Sequence, residues 1–353
     1  MTLPETMRAA VLLAPRRVAI QTLPVPRPGP GEVVVEVTTA LTCGTELKSY
    51  RQGHRLFRPP WPLGHEFVGY VAALGEGVTS VALGERVVAA NSAPCDQCEF
   101  CRAGRTPLCR KLPDLLLRGA FADYVLLSSP IVRHNFFRAP PGVPDETLAF
   151  LEPLACVVHG ADEAAVAPGE TVAIIGGTGP IGLLFVQLLR HRGAGRVVAV
   201  GRKPHRLALA KELGATETLQ AAEEDWVRRL LTEVGRPDVV IEITGIPALI
   251  EQAVAIAQPG GRVVLFGGSP AGATAALDLA RVHYDALTVR GVFHHTPRTV
   301  RQALQLLTSG AIRVAPLVSD RLPLEETAEA MRRFDAGELK LAIAPGGRPP
   351  AVR

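Results

Sequence analysis

Two rhythms of apolar and polar positions divide the 353-residue chain. From Arg8 to about Pro140 the apolar residues come in short runs, such as E-V-V-V-E-V-T (32–38), F-V-G-Y-V-A-A-L (67–74) and E-R-V-V-A-A (85–90). Turns rich in glycine and proline, P-R-P-G-P-G (26–31) and L-G-E-G-V (74–78), separate them. Short alternating runs between turn signals predict a β-rich, partly closed domain. The breaker cluster A-P-P-G-V-P-D-E (139–146) marks its end. Beyond it, β-branched runs at 171–175, 196–200, 238–242, 262–266 and 287–291 alternate with helical stretches such as L-A-L-A-K-E-L (207–213) and A-L-I-E-Q-A-V-A-I-A (248–257). Continuous apolar strands joined by crossover helices predict a parallel sheet covered on both faces. From about Thr296 the pattern reads helix, short strand, helix and a final strand, L-K-L-A-I (339–343).

Composition narrows the functional classes. With 47% hydrophobic and 20% charged residues the chain has ample material for a core. A net charge of only +4, with no basic run, argues against nucleic acid as a partner. No apolar stretch is long enough to span a bilayer, and the opening residues lack the apolar core of a secretion signal. A cytoplasmic protein acting on a small molecule is the expectation.

Residues 95–109 read C-D-Q-C-E-F-C-R-A-G-R-T-P-L-C, so Cys95, Cys98, Cys101 and Cys109 are spaced by two, two and seven residues. Thiolates this close together, in a chain without secretory features, call for a soft divalent metal rather than disulfides. A closed site of four sulfurs suits zinc and leaves no position for a substrate, so this zinc is structural. Cys156 reads as a small buried residue on a helix.

The strand at 171–175 runs into G-G-T-G-P-I-G (176–182) and an apolar helix. Gly177, Gly179 and Gly182 satisfy G-x-G-x-x-G, with Pro180 and Ile181 opening the helix. The first glycine is assigned the sharp turn, the second the approach of a pyrophosphate to the backbone, and the third close helix–strand packing. The helix N-terminus offers unpaired N–H groups and the positive end of its dipole to phosphates. A bare G-x-G-x-x-G also suits a methyltransferase; its place in a repeated strand–helix pattern favours a dinucleotide. The next strand ends in Gly201-Arg202-Lys203, where an NAD site usually places an acid. Room and positive charge there favour NADP(H) over NAD(H), against the simpler alternative of a solvated basic turn.

A second constellation lies in T-C-G-T-E-L-K (42–48), L-G-H-E-F-V-G (63–69) and F-L-E-P-L-A (150–155). Cys43, His65, Glu66 and Glu152 supply sulfur, imidazole and carboxylate, a mixture suited to a catalytic zinc with one open position. Each residue alone would more often be a packed side chain than a ligand. Taken with the four-cysteine lobe, G-A-F-A-D-Y-V (119–125), the glycine loop and the lysine-bearing final strand, the chain resembles the zinc-dependent medium-chain dehydrogenases and reductases. The E-P-L form at 152–154 looks most like their threonine, sorbitol and polyol branch.

That resemblance implies an α/β architecture: a GroES-like catalytic domain over 1–152 carrying the zinc lobe 95–109, a doubly wound Rossmann domain over 153–295, and a return to the catalytic domain over 296–353. It implies Cys43 and His65 as zinc ligands, joined by Glu66 or Glu152. Thr45 would bond the substrate oxygen and carry its proton, and Glu46 would orient His65. Lys340 would reach the cofactor phosphates or Glu46. Many relatives carry histidine five residues after the cysteine; here it is Lys48, so the proton path ends in Lys48, a cofactor hydroxyl or water. The implied reaction is hydride transfer between a nicotinamide and a secondary alcohol, polyol or sugar-derived hydroxyl, by a homodimer or homotetramer. Trp61, Leu63, Phe121, His294 and His295 are the expected pocket residues. The alternatives are an NAD-dependent polyol or amino-alcohol dehydrogenase, a zinc-free reductase of the same fold, and a non-catalytic relative.

Overall fold

Alternating residues in the first part of the chain fold into β1 (Thr6–Ala14), β2 (Arg17–Pro24), β3 (Val33–Leu41), β4 (Trp61–Pro62), β5 (Glu66–Leu74), β6 (Arg86–Ala89), β7 (Tyr124–Leu127) and β8 (Phe136–Arg138). The β-branched runs that follow become β9 (Thr171–Ile175), β10 (Arg196–Gly201), β11 (Glu217–Gln220), β12 (Val239–Glu242), β13 (Arg262–Leu265) and β14 (Thr288–Gly291). The last part adds β15 (Val318–Pro323) and β16 (Lys340–Ala344). The computed structural model describes residues 3–53, 58–221 and 225–346. The chain divides into two compact units, Met1–Ala155 with Thr296–Gly310 and Val314–Arg353, and Cys156–His295 with Ala311–Arg313.

In the first unit β2, β1 and β4 form a three-stranded sheet. A seven-stranded sheet follows the path β15-β16-β3-β5-β6-β8, with β7 also paired to β3. Val33, Val35, Val37, Phe67, Val71, Leu127 and Ile343 all turn into one buried cluster. This is the inward face expected of antiparallel strands that alternate.

The second unit is a six-stranded sheet in the order β11-β10-β9-β12-β13-β14, parallel at every pairing. This is a doubly wound topology whose order reverses between β9 and β12. The central strands are buried on both faces, which explains their unbroken apolar sequence. The helix Pro180–His191 is buried from Gly182 to Leu189, and Phe185 meets Phe266 edge-on with ring centroids 5.1 Å apart. β11 is the strand hardest to foresee: E-T-L-Q is short and polar because it lies at the edge of the sheet.

Candidate active site and metal centres

Strand register assembles the first site. β3 and β5 run antiparallel with Leu41 opposite Glu66, and β16 runs antiparallel to β3 with Ala342 opposite Leu41. The backbone N–H of Thr42 donates to the carbonyl of Leu341 at 3.0 Å. Cys43 at the end of β3, His65-Glu66 at the start of β5 and Lys340 at the start of β16 are therefore neighbours. Cys43 is also the N-cap of the helix Gly44–Gln52, which carries Thr45 and Glu46 in its first turn.

The ligand atoms of Cys43, His65 and Glu66 all lie within 4.8 Å of one another. Glu152, buried near the start of the helix Leu151–Ala164, falls outside that tight group but lies close enough for its charge to act on Glu66 and Lys340. His65 donates from Nδ1 to Oε1 of Glu46, which leaves Nε2 as its remaining ring nitrogen. The other oxygen of Glu46 is buried and has no hydrogen-bond partner among the described residues. The resemblance offered the cofactor phosphates or Glu46 as partners of Lys340, and the structure gives it no bond to Glu46. Its buried ammonium instead donates to both oxygens of Glu66, at 2.8 and 2.6 Å, and to the carbonyl of Thr42 at 2.8 Å. The position directly across from Cys43 on β16 brings it to Glu66 rather than to the helix that holds Glu46.

These groups perturb one another strongly. Burial pushes the Cys43 thiol up, and the Glu66 carboxylate adds to the shift. Burial opposes charge on His65, but Glu46 and Cys43 outweigh it and raise His65 well above its usual value. Burial lifts Glu66 to about 7 against the opposing pull of Lys340 and His65, with Glu152 raising it further. Burial works against the Lys340 cation, and Glu66 more than compensates. A cluster that resists deprotonation in this way is relieved by a divalent cation, which favours thiolate, neutral imidazole and carboxylate together. The donor chemistry fits zinc.

Thr45, Glu46, Ser49, Trp61, Leu63, Gly64, His65 and Leu117 line a narrow cleft beside this cluster. Ser49 donates to the backbone carbonyl of Thr45 at 3.1 Å, and the guanidinium of Arg118 stacks 4.2 Å over the Trp61 ring. Ser49 and Leu117 carry no sequence signal, since they join the cleft only through the fold. Phe121, expected at the pocket, is fully buried in the core instead and packs against Gly64, where a Cβ would approach its ring to 2.5 Å. Lys48 is exposed on the Gly44–Gln52 helix. His294 and His295 stack at 4.0 Å, and His294 adopts a left-handed φ of 62°.

The sulfurs of Cys95, Cys98, Cys101 and Cys109 also lie within 4.8 Å of one another, with Cys95 and Cys101 3.9 Å apart. Bonds of about 2.3 Å at tetrahedral angles would set zinc-bound sulfurs about 3.8 Å apart, so the spacing fits that ion. Backbone N–H groups of Cys101 and Arg110 hold the Cys98 thiol down at about 6, while burial pushes Cys101 up to about 12. Cys156 sits on a helix as expected, but is only half-buried.

In the second unit the glycine loop joins β9 to the helix Pro180–His191, with Gly179 as N-cap and Pro180 in its first turn. The sharp turn falls on Gly176, with φ of 90°, rather than on Gly177. Gly177 serves packing, because a Cβ there would lie 3.0 Å from the Ala199 Cα. Gly182 does the same against Gly177 at 2.6 Å, whereas Gly179 meets only one atom within 4 Å, at 3.7 Å, and stays open to a ligand. The first-turn amides, including those of Ile181 and Gly182, have no carbonyl partner inside the helix. At the end of β10, a Cβ on Gly201 would strike the Thr178 hydroxyl at 2.2 Å. Arg202 is exposed, Lys203 half-buried, and burial followed by Arg202's charge lowers Arg206. Arg206, in the first turn of the next helix, is a third cation of this group that the strand-end motif alone does not reveal.

A close sulfur–imidazole–carboxylate cluster, together with a glycine loop on a doubly wound sheet, defines a metal- and nucleotide-dependent oxidoreductase. The family model of zinc-binding dehydrogenases matches residues 180–309, and that of the alcohol dehydrogenase GroES-like domain matches 29–134. Sorbitol dehydrogenase of Bacillus subtilis (strain 168) is 32% identical over 98% of this chain and 99% of its own length. L-threonine 3-dehydrogenase of Bacillus licheniformis is 33% identical over 92% of this chain and 94% of its own. A solved zinc-binding dehydrogenase from Sinorhizobium meliloti 1021, bound to NADP, is 34% identical with a TM-score of 0.87, covering 97% of this chain and 100% of that one. The chain belongs to the zinc-dependent alcohol dehydrogenase family of medium-chain oxidoreductases. Among the described residues no helix is long and apolar enough to cross a membrane.

Proposed function

We propose that this enzyme moves hydride between NADP(H) and the hydroxyl-bearing carbon of a secondary alcohol, polyol or sugar derivative. The observation that carries the reading is the close group of Cys43, His65 and Glu66, of which His65 lines the cleft that also holds Thr45. Cys43, His65 and the carboxylate of Glu66 or Glu152 would hold the catalytic zinc. When bound, zinc supplies Lewis acidity that brings a substrate hydroxyl toward neutral pKa. The side chains do the positioning. Thr45 would bond the substrate oxygen and relay its proton, releasing its own hydroxyl proton onward to Lys48, a cofactor hydroxyl or water, and Ser49 steadies the Thr45 backbone. Glu46 keeps the His65 ring in one orientation, and Lys340 balances the charge of Glu66. Trp61, Leu63 and Leu117 give the cleft an apolar wall that excludes water. Cys95, Cys98, Cys101 and Cys109 would close around a second, structural zinc.

For the cofactor, Gly201 removes the acid that would repel a 2′-phosphate, and Arg202, Lys203 and Arg206 supply positive charge. The NADP bound to the Sinorhizobium relative supports the same choice. The edge strand β14 and the exposed Leu279, Tyr284 and Phe293 favour a homo-oligomer formed through the second unit. The test is a panel of secondary alcohols, polyols and sugars with NADP and NAD, read by absorbance of the reduced nicotinamide, with zinc measured on the same sample. Turnover that requires zinc and prefers NADP is expected. A zinc-free protein, or one inert across the panel with both cofactors, would reject the reading.

A further inference from the structure

Glu242, at the carboxyl end of β12, is fully buried, and no cation pairs with it among the described residues. Its carboxylate is instead surrounded by donors from the turn that follows. Oε1 accepts from the backbone N–H of Thr244 at 2.7 Å, from the Thr244 hydroxyl and from the N–H of Gly245 at 3.2 Å. Oε2 accepts from the same Gly245 N–H at 3.0 Å. The Thr244 hydroxyl in turn accepts from the N–H of Ile246 at 3.1 Å, the N-cap of the helix Pro247–Ile256. A lone buried carboxylate is costly unless such donors satisfy it, so the turn and the charge hold each other in place.

The turn so fixed is packed on both sides without slack. A Cβ on Gly176 of the glycine loop would lie 3.0 Å from the Thr244 Cγ2. On the other side, a Cβ on Gly267 would lie 2.4 Å from both the Gly245 nitrogen and the Ile243 carbonyl oxygen. Gly245 itself has a left-handed φ of 70° and abuts the Gly268 carbonyl. β9 and β12 are the strands between which the sheet order reverses, where doubly wound sheets bind their ligands. The glycine loop is one wall of that crevice and Ile243–Gly245 the other.

We infer that Glu242 is a positioning residue for the dinucleotide: its buried carboxylate holds Ile243–Gly245 as the wall facing the glycine loop. This rests on the reading that the crevice binds NADP(H). Glu242→Gln keeps the volume but sets an amide N–H against the N–H groups of the turn. In the zinc-loaded enzyme, NADPH affinity is measured by fluorescence titration without substrate, beside zinc content and the melting curve. Glu242→Gln should weaken NADPH by about tenfold at a temperature where it is fully folded, with zinc content unchanged. Affinity equal to wild type in the folded variant overturns the inference. Should Glu242→Gln not fold, Thr244→Val decides, because it keeps the methyl against Gly176 and loses only the hydroxyl. About threefold weaker binding supports the inference, and unchanged binding overturns it. A wild-type enzyme that binds neither NADPH nor NADH would instead reject the cofactor reading itself, before any variant is made.

Discussion

Arg202→Ala tests the cofactor reading most directly, and its size follows from the loop. A charge-assisted hydrogen bond to phosphate contributes roughly 1.5–3 kcal/mol. Arg202 is exposed, so solvent holds its share near the lower end, about 1.5 kcal/mol or roughly tenfold. Lys203 and Arg206 remain in the variant, and Arg206 is freed from the like charge that now lowers it. The loss is therefore partial. Initial rates at saturating alcohol should show kcat/KM for NADP falling about tenfold, with that for NAD within about twofold of wild type. Screening over about 10 Å at 0.1 M salt should also shrink the wild-type advantage of NADP as ionic strength rises, and shrink it less in the variant. Comparable wild-type turnover with NAD, untouched by Arg202→Ala, would refute the argument.

Four further outcomes follow from the same geometry. Gly201→Asp, which supplies the acid of an NAD site, should fail as a cofactor switch because its Cβ strikes Thr178; a loss of about 1–3 kcal/mol, seen as a lower melting temperature, is expected unless Thr178→Gly accompanies it. Cys43→Ser should lose one zinc per chain by elemental analysis and keep the other, while a loss of both would contradict separate sites. Asp335 is held below the usual carboxylate range by its hydrogen bond from Arg51, aided by Arg16. Its stabilisation is present above pH 3.8 and is lost as pH falls through the lower folded value, so urea unfolding of Asp335→Asn should show a cost of about 1 kcal/mol at pH 7 that shrinks steadily below pH 3.8. Tyr284→Asp should reduce the oligomer in sedimentation without changing the rate of each site much, and an unchanged assembly would move the interface elsewhere.

The parallel sheet was readable because strands buried on both faces must be apolar throughout, and helices between them repeat a different period. The four-cysteine lobe was readable because its sulfurs, now found within 4.8 Å of one another, sit within fifteen residues. Other features were hidden for specific reasons. Lys340 lies 274 positions from Glu66, and only strand register brings the two together. Gly176 and Gly177 are adjacent and chemically identical, so the motif could not say which one turns. Arg206 follows the diagnostic strand end by one helical turn and looks like any surface cation in a helix. Glu242 closes an apolar run, where a buried acid and the first residue of a solvated loop look the same. Three donors on the next turn, making four bonds, make the difference, and these appear only once the turn exists.

The same dependence on register governs the metal cluster. β3 and β5 each carry one extra residue, Thr38 on β3 between Val37 and Thr39, and Ala72 on β5 between Val71 and Ala73. The two irregularities offset each other. Between them the pairing is shifted by one, and beyond Thr39 it returns to the frame that sets Leu41 opposite Glu66. Thr38 is held in its bulge by a bond from its hydroxyl to the Val68 carbonyl at 3.2 Å, and Gly69 allows the crowding, since a Cβ there would meet the Glu36 carbonyl oxygen at 2.1 Å. A slip of one residue would send Glu66 to the opposite face of the sheet and leave Lys340 buried without its carboxylate. An unpaired buried ammonium costs several kcal/mol, more than a single bulge can recover. The ion pair of Lys340 with Glu66 and the paired bulges thus enforce the same register, and that register is what sets Cys43 beside His65.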